Sequence, residues 1–165
     1  METIAVYWEP KIRIYGLMTE VGVSLYTLLF PSARLPFWGG VIRDLEDKGR
    51  EFLLVNLQAA PPASMQLCLI LRPEIQTHLI RDILLQKVEQ EKDTSFEVVA
   101  GIELLYLHGP HFQDRYGIIE AVLTPLQKAG IPLLCAGCAG TSVYVAVSEQ
   151  RGKAAANCLA ETFIL

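Results

Sequence analysis

The chain contains 165 residues, of which 52% are hydrophobic and 19% charged, and its formal net charge is -4 at pH 7. This composition is sufficient for packed cores and excludes a disordered tail. Lys and Arg do not cluster as phosphate binding requires, so we expect no nucleic-acid partner. The start of the chain lacks the positive charge of a signal peptide, and the apolar run at 21–31 is shorter than the ~20 residues of a membrane helix. We therefore expect a cytoplasmic protein without a membrane contact.

Residues 1–22 are interpreted as an N-terminal extension. Residues 4–8 and 11–17 predict two added strands, and Glu9-Pro10 predicts the turn between them. We expect these strands to pack on the half of the chain that follows.

Residues 23–100 predict a first module with the order strand, helix, strand, strand, helix, strand. Phe37, Val41 and Leu45 recur every four residues, which is typical of a helix with one buried face. Gly49 ends that helix, because a left-handed residue closes the last turn without a Cβ clash. The other predicted elements are strands at 52–55 and 65–71, a helix from Pro73 to about Glu89, and a strand at 97–100.

Residues 101–165 predict a second module with the same order. Aligning Gly49 with Gly130 places Val41 opposite Val122 and Pro36 opposite Gly117, so the first helices of both halves share an apolar face. Pro125 lies inside the second of these helices and predicts a kink or a shorter helix. The remaining elements are strands at 101–107, 132–135, 142–147 and 163–165, and a helix at 149–161.

The order strand, glycine-bearing loop, helix, strand, strand at 102–147 resembles the ACT domain, in particular the paired ACT modules of aspartate kinases. The resemblance implies an α+β fold of two ferredoxin-like βαββαβ modules with antiparallel sheets. It also implies a homodimer in which modules pair side by side, and a free amino acid or similar small carboxylate bound between modules. We expect no cofactor and no metal.

The loop at 108–117 leads from a strand into a helix, whose first N–H groups are unpaired and suit a carboxylate. In ACT modules such a loop cradles the ligand, and Gly117 matches the glycine that opens the helix. Asp114 or Arg115 would then meet the ligand's charged groups. The alternative, in which Asp114 only caps the helix and Arg115 is solvated, stays open. The candidate ligand contacts from this loop are His108, Gly109, His111, Asp114, Arg115, Tyr116, Gly117 and Ile118.

The run at 135–141, Cys-Ala-Gly-Cys-Ala-Gly-Thr, supplies the other candidate contacts, Ala136, Gly137 and Cys138. The resemblance implies that these small residues admit a partner module and a ligand, and the alternative is a glycine-rich hairpin turn. Redox chemistry is disfavoured, because Cys135 does not begin a helix that would lower its pKa. A zinc site formed with His108 and His111 is also disfavoured, since Cys135 and Cys138 would lie about 10 Å apart along a strand.

No nucleophile and base stand out as a pair, so we expect no enzyme. The favoured function is a stand-alone tandem ACT-type regulatory protein that binds an amino acid and signals by altered association, with a metabolic enzyme as a candidate partner. One alternative is a ligand-free structural or protein-interaction module. Another is a small ferredoxin-like enzyme that uses His108 or His111.

Overall fold

The described residues divide into two units, which we call the first unit (Gly22–Ala100) and the second unit (residues 11–21 together with Gly101–Leu165). The computed structural model describes residues 11–72, 77–110, 112 and 115–165, and for Thr77 and His78 only the backbone. The predicted strands at 4–8, the turn at Glu9-Pro10 and the helix start at Pro73 lie outside the described residues.

Two long strands each run from one unit into the other: β2 (Gly16–Pro31) and β5 (Ser95–His108). Both unit boundaries coincide with a glycine in the left-handed region, Gly22 at φ +70 and Gly101 at φ +74. Side chains avoid this region, so glycine is suited to both positions. The predicted strands at 97–100 and 101–107 are thus one continuous strand.

The first unit contains the sheet order β3-β4-β2, in which neighbouring strands are antiparallel. Its elements after β2 are α1 (Leu35–Asp47), β3 (Phe52–Ala60), β4 (Ser64–Leu71) and α2 (Thr77–Gln90). Val41 and Leu45 of α1 are buried, as the sequence predicts, and Trp38 is buried beside them. These side chains join Leu69 of β4 and Leu84 of α2 in one core.

The second unit contains the sheet order β5-β7-β6, again antiparallel. Its elements are β1 (Ile12–Arg13), α3 (Ile118–Lys128), β6 (Leu133–Ala139), β7 (Ser142–Val147), α4 (Gly152–Thr162) and β8 (Phe163–Ile164). Val122 and Leu126 of α3 pack with Val145 of β7 and Leu159 of α4 in a single core. The prediction of an α+β fold with two βαββαβ modules is confirmed.

The N-terminal extension differs from its prediction. We expected it to pack on the first module, but Ile12 and Arg13 pair in parallel with Phe163 and Ile164 at the other end of the chain. Ile14 is buried in the core of the second unit. Alternating apolar residues predict a strand, but they do not indicate which distant strand it pairs with.

Helix α3 continues through Pro125 and ends after 11 residues, whereas α1 has 13. The sequence predicts this shortening. Proline has no N–H group for the preceding turn, but its carbonyl still accepts a hydrogen bond from Ala129 at 3.0 Å. Gly130 follows at φ +65 and ends the helix. Among the helices of the described ranges, none has both the length and the apolar character needed to cross a membrane.

Candidate functional site

Helix α3 of the second unit begins at Gly117, whose φ of +79 and ψ of 8 lie in the left-handed region. The first helical hydrogen bond runs from the Ala121 N–H to the Gly117 carbonyl, at 2.9 Å. The N–H groups of Ile118, Ile119 and Glu120 therefore precede the helical ladder. No side chain among the described residues caps this end of the helix. These three N–H groups lie at the positive end of the helix dipole.

One carboxylate already lies beside this helix end. The Oε2 atom of Glu120 is 3.8 Å from the position that a Cβ atom of Gly117 would occupy. An acidic side chain in the first turn is stabilised by the helix dipole. A second carboxylate bound at the same donors would have to share them with Glu120.

His108 is the last residue of β5, and its imidazole contacts three side chains. Its Nδ1 atom is hydrogen-bonded with the hydroxyl groups of Ser142 at 3.0 Å and Thr141 at 3.2 Å. The ring of Tyr15 lies against the imidazole, with 5.5 Å between the ring centroids. The carbonyl of His108 also accepts a hydrogen bond from the Tyr15 N–H at 2.7 Å. His108 is therefore anchored at the exposed end of the strand rather than free in a loop.

Gly109 fixes the path of the chain after His108. Its N–H donates to the carbonyl of Thr141 at 3.1 Å. A Cβ atom at this position would overlap the ring of Phe112 and would lie 2.7 Å from the carbonyl oxygen of Arg13. Any side chain larger than hydrogen would separate these segments, so glycine is required here for packing.

The other predicted contacts from this loop occupy different environments. Arg115 is partly buried and has an interaction partner, whereas the Tyr116 side chain is 99% exposed. Ile118 is buried in the core, so only its backbone N–H faces the helix end. His111 and Asp114 lie outside the described residues.

Ala136, Gly137 and Cys138 lie within β6 and not in a hairpin turn, because the strand extends to Ala139. Strand β7 separates β6 from β5. Neighbouring strands are about 4.8 Å apart, so the backbone of β6 lies about 10 Å from that of β5. Within the second unit they are therefore not brought together with His108.

The small size of Gly137 is explained by a neighbouring side chain. Tyr144 is its cross-strand partner, and a Cβ atom on Gly137 would overlap the Tyr144 ring and hydroxyl. Ala136 packs against the core, and Cys138 is exposed. The space beside Gly137, where a ligand was expected to approach, is thus occupied by Tyr144.

The corresponding loop of the first unit has a different construction. A short 3-10 turn, Ser32–Arg34, leads into α1, which carries Pro36 in its first turn. The Nε atom of Arg34 forms an ion pair with the Oε2 atom of Glu91 at 2.7 Å. The Arg34 guanidinium at the start of α1 is thus already paired with the Glu91 carboxylate of the same unit.

Sequence reasoning missed three residues that surround His108: Tyr15, Thr141 and Ser142. Ser142 is the cross-strand partner of His108, so the pairing of β5 with β7 would have revealed it. Tyr15 gave no such signal, because its position depends on where the N-terminal extension packs. No group of three or more His, Cys, Asp or Glu side chains that could hold a metal ion occurs in the described parts of the chain.

No protein-family model and no curated protein matches the sequence. Solved structures do match. The regulatory subunit of aspartate kinase from Thermus thermophilus, in a ligand-free form, has a TM-score of 0.76 at 9% identity, over 90% of this chain and 97% of its own. Aspartate kinase from Synechocystis has a TM-score of 0.79 at 12% identity, over 94% of this chain and 27% of its own.

Escherichia coli aspartokinase III in complex with lysine and aspartate, in the T-state, has a TM-score of 0.65 at 18% identity. That match covers 94% of this chain and 34% of the enzyme. The expected likeness to the regulatory region of aspartate kinases is confirmed at the level of the fold. The chain has the fold of a tandem pair of ACT-type regulatory modules.

Proposed function

We propose that this chain is a regulatory protein without catalytic activity, which binds a free amino acid or a similar small carboxylate in its second unit. The observation that carries the proposal is the start of α3. A left-handed glycine there leaves the three N–H groups of Ile118, Ile119 and Glu120 outside the helical ladder. These donors suit the carboxylate that every free amino acid possesses. The complex of E. coli aspartokinase III with lysine and aspartate supports a ligand of this class.

The second unit is favoured over the first for a physical reason. In the first unit Arg34 at the start of α1 is already paired with Glu91. A ligand carboxylate would have to compete with an anion of the same protein for that guanidinium. Gly117 also permits a close backbone approach that the Pro36 ring does not.

The proposed output is a change in association. Strand β6 forms one edge of its sheet, and Leu133 and Leu134 on it are partly exposed. Edge strands offer unpaired backbone groups to another chain, so a homodimer through ACT-type pairing is part of the proposal. A ligand would shift the population of such arrangements by no more than its difference in affinity between them. A metabolic enzyme is the candidate regulated partner.

The test is a thermal-shift screen of the purified protein against the free amino acids at millimolar concentration. A ligand at 100 times its dissociation constant stabilises the folded state by about 2.7 kcal/mol, which a melting curve resolves. A selective increase in melting temperature with one or two amino acids is the expected result. Equal behaviour with all amino acids would contradict the proposal.

A ligand-free interaction module is the second candidate, and two contacts favour it. Glu120 already places a carboxylate at the start of α3, and Tyr144 already fills the space at Gly137. The fully exposed Tyr116 side chain is the kind of aromatic residue that protein interfaces use. A screen without any hit, together with a Tyr116-dependent association, would favour this function.

A further inference from the structure

We propose that Tyr15 is a positioning residue for His108, and that Tyr15, Thr141 and Ser142 together present the Nε2 atom of His108 to a carboxylate of the bound ligand. This inference rests on the proposed function and adds contacts to the same site in the second unit.

Tyr15 restricts the orientation of the His108 ring. Tyr15 is attached to His108 twice, by its backbone N–H at 2.7 Å from the His108 carbonyl and by its ring at 5.5 Å between centroids. The two ring planes are tilted by 39°. An exposed imidazole would otherwise rotate freely, and fixing it before a ligand arrives removes an entropic cost of binding.

The exposed ring of Tyr15 adds little to the packing of the second unit. Its side chain is 67% exposed and does not belong to the core of the second unit. A large aromatic residue in that setting contributes little to packing. Its ring lies against that of His108, so the consequence of this contact falls on the imidazole.

The two ring nitrogens of His108 have different surroundings. Two hydroxyl groups, from Ser142 at 3.0 Å and Thr141 at 3.2 Å, converge on Nδ1. A neutral imidazole has one donor and one acceptor nitrogen. A hydroxyl can donate or accept, so the direction of these two hydrogen bonds depends on the tautomer of the ring. When a hydroxyl donates to Nδ1, the neutral ring carries its proton on Nε2. Nε2 is then a hydrogen-bond donor, and the matching ligand group is an acceptor such as a carboxylate oxygen.

The test begins without ligand, by recording two-bond ¹H–¹⁵N spectra of the histidines at about pH 8, where an ordinary imidazole is neutral. The chain has three histidines, and His108→Gln assigns the signals of interest. We expect the wild-type spectrum to show an unprotonated Nδ1 and a protonated Nε2. Tyr15→Ala should move both signals toward those of a mobile ring with mixed tautomers, and Tyr15→Phe should restore them.

The matched control is Met18→Ala. Met18 follows Tyr15 closely in the chain and is 63% exposed, but it has no aromatic ring to stack on His108. This variant should leave the His108 signals unchanged. Unchanged signals in Tyr15→Ala, or the same change in Met18→Ala, would overturn the positioning role.

The second measurement is calorimetric titration with the amino acid that gives the largest thermal shift. Tyr15→Ala should weaken binding about tenfold, with Tyr15→Phe and Met18→Ala close to wild type. Equal affinity in Tyr15→Ala and wild type would overturn the proposal that His108 faces the ligand. If the wild type binds no amino acid, the proposed function fails and the ligand-facing role fails with it. The ligand-free spectra still decide separately whether Tyr15 positions the ring.

Discussion

The carboxylate of Glu103 on β5 accepts a hydrogen bond from the backbone N–H of Gly152, the first residue of α4. This contact joins a strand and a helix that are 49 residues apart in the chain. It satisfies one of the helix donors and places a negative charge at the positive end of the helix dipole. A Cβ atom on Gly152 would overlap that carboxylate, so the glycine and the glutamate form a matched pair.

Replacing Glu103 with alanine should destabilise the second unit by about 1–2 kcal/mol, because the Gly152 N–H loses its acceptor and the helix end its negative charge. Glu103→Gln keeps an oxygen acceptor and should cost about half as much. Urea denaturation measures both effects. Glu161→Ala, at an exposed position on α4, is the control. Equal losses in Glu103→Ala and Glu161→Ala would contradict a capping role.

Two glycines at opposite ends of α3 allow backbone strain to be separated from ligand binding. Gly117 has φ +79 and Gly130 has φ +65, and among the described residues no atom is close enough to obstruct a Cβ atom at either position. Alanine at either position should therefore cost about 1–2 kcal/mol through the left-handed backbone alone. Only Gly117→Ala should also abolish the thermal shift produced by an amino acid, because it displaces the donors at the start of α3.

Thermal melts of both variants, with and without ligand, check this expectation. Gly130→Ala controls for lost stability, since Gly130 follows the other end of the same helix. A ligand-induced shift of the same size in both variants would mean that the start of α3 does not hold the ligand.

The fold could be predicted from the sequence wherever local patterns decide it. The spacing of Phe37, Val41 and Leu45 and the stop at Gly49 predicted α1, and Pro125 predicted a short α3. Long-range pairing could not be predicted in the same way. The pairing of Ile12 and Arg13 with Phe163 and Ile164 joins the two ends of the chain, and no local pattern encodes such a partner.

The candidate site was predicted only in part. Sequence reasoning identified Gly117 as the glycine that opens a helix, and the structure has it directly before α3, in the left-handed region. Sequence reasoning also assigned Gly137 to a ligand, whereas the residue that lies over it is Tyr144 on the neighbouring strand. A glycine in sequence indicates that space is needed, but the fold determines which group uses that space.

Gly137→Ala should destabilise the second unit by about 1–3 kcal/mol, because the added methyl group would displace the buried ring of Tyr144. Combining it with Tyr144→Ala in a double-mutant cycle should show that the two losses are not additive. Cys138→Ala, at an exposed position of the same strand, should have little effect. Urea denaturation of the four proteins provides the cycle, and additive losses would contradict direct contact.

The ion pair between Arg34 and Glu91 should stabilise the first unit without affecting ligand binding. The Glu91 side chain is only 9% exposed and that of Arg34 is 53% exposed, so solvent screens the pair on one side. We expect a coupling energy of about 1 kcal/mol from a cycle of Arg34→Ala and Glu91→Gln. Both variants should retain the full thermal shift with an amino acid. A lost shift would move the ligand site to the first unit.

Tyr26 should make the stability of the first unit sensitive to alkaline pH. Burial raises the pKa of its phenol above the ordinary value of about 10. The contribution of the neutral phenol is therefore complete below about pH 10 and is lost as the pH rises toward the higher pKa of the folded state. The nearby Ser24 side chain and Arg81 offset part of this increase in pKa. The Tyr26 hydroxyl has no hydrogen bond of good geometry among the described residues, so Tyr26→Phe should change stability at neutral pH by less than about 1 kcal/mol. Above pH ~10 the variant should become progressively more stable than wild type.

Denaturant midpoints measured from neutral to alkaline pH check this, with Tyr116→Phe, at a fully exposed ring, as the control. Parallel curves for wild type and Tyr26→Phe would mean that the phenol ionises equally in the folded and unfolded chains.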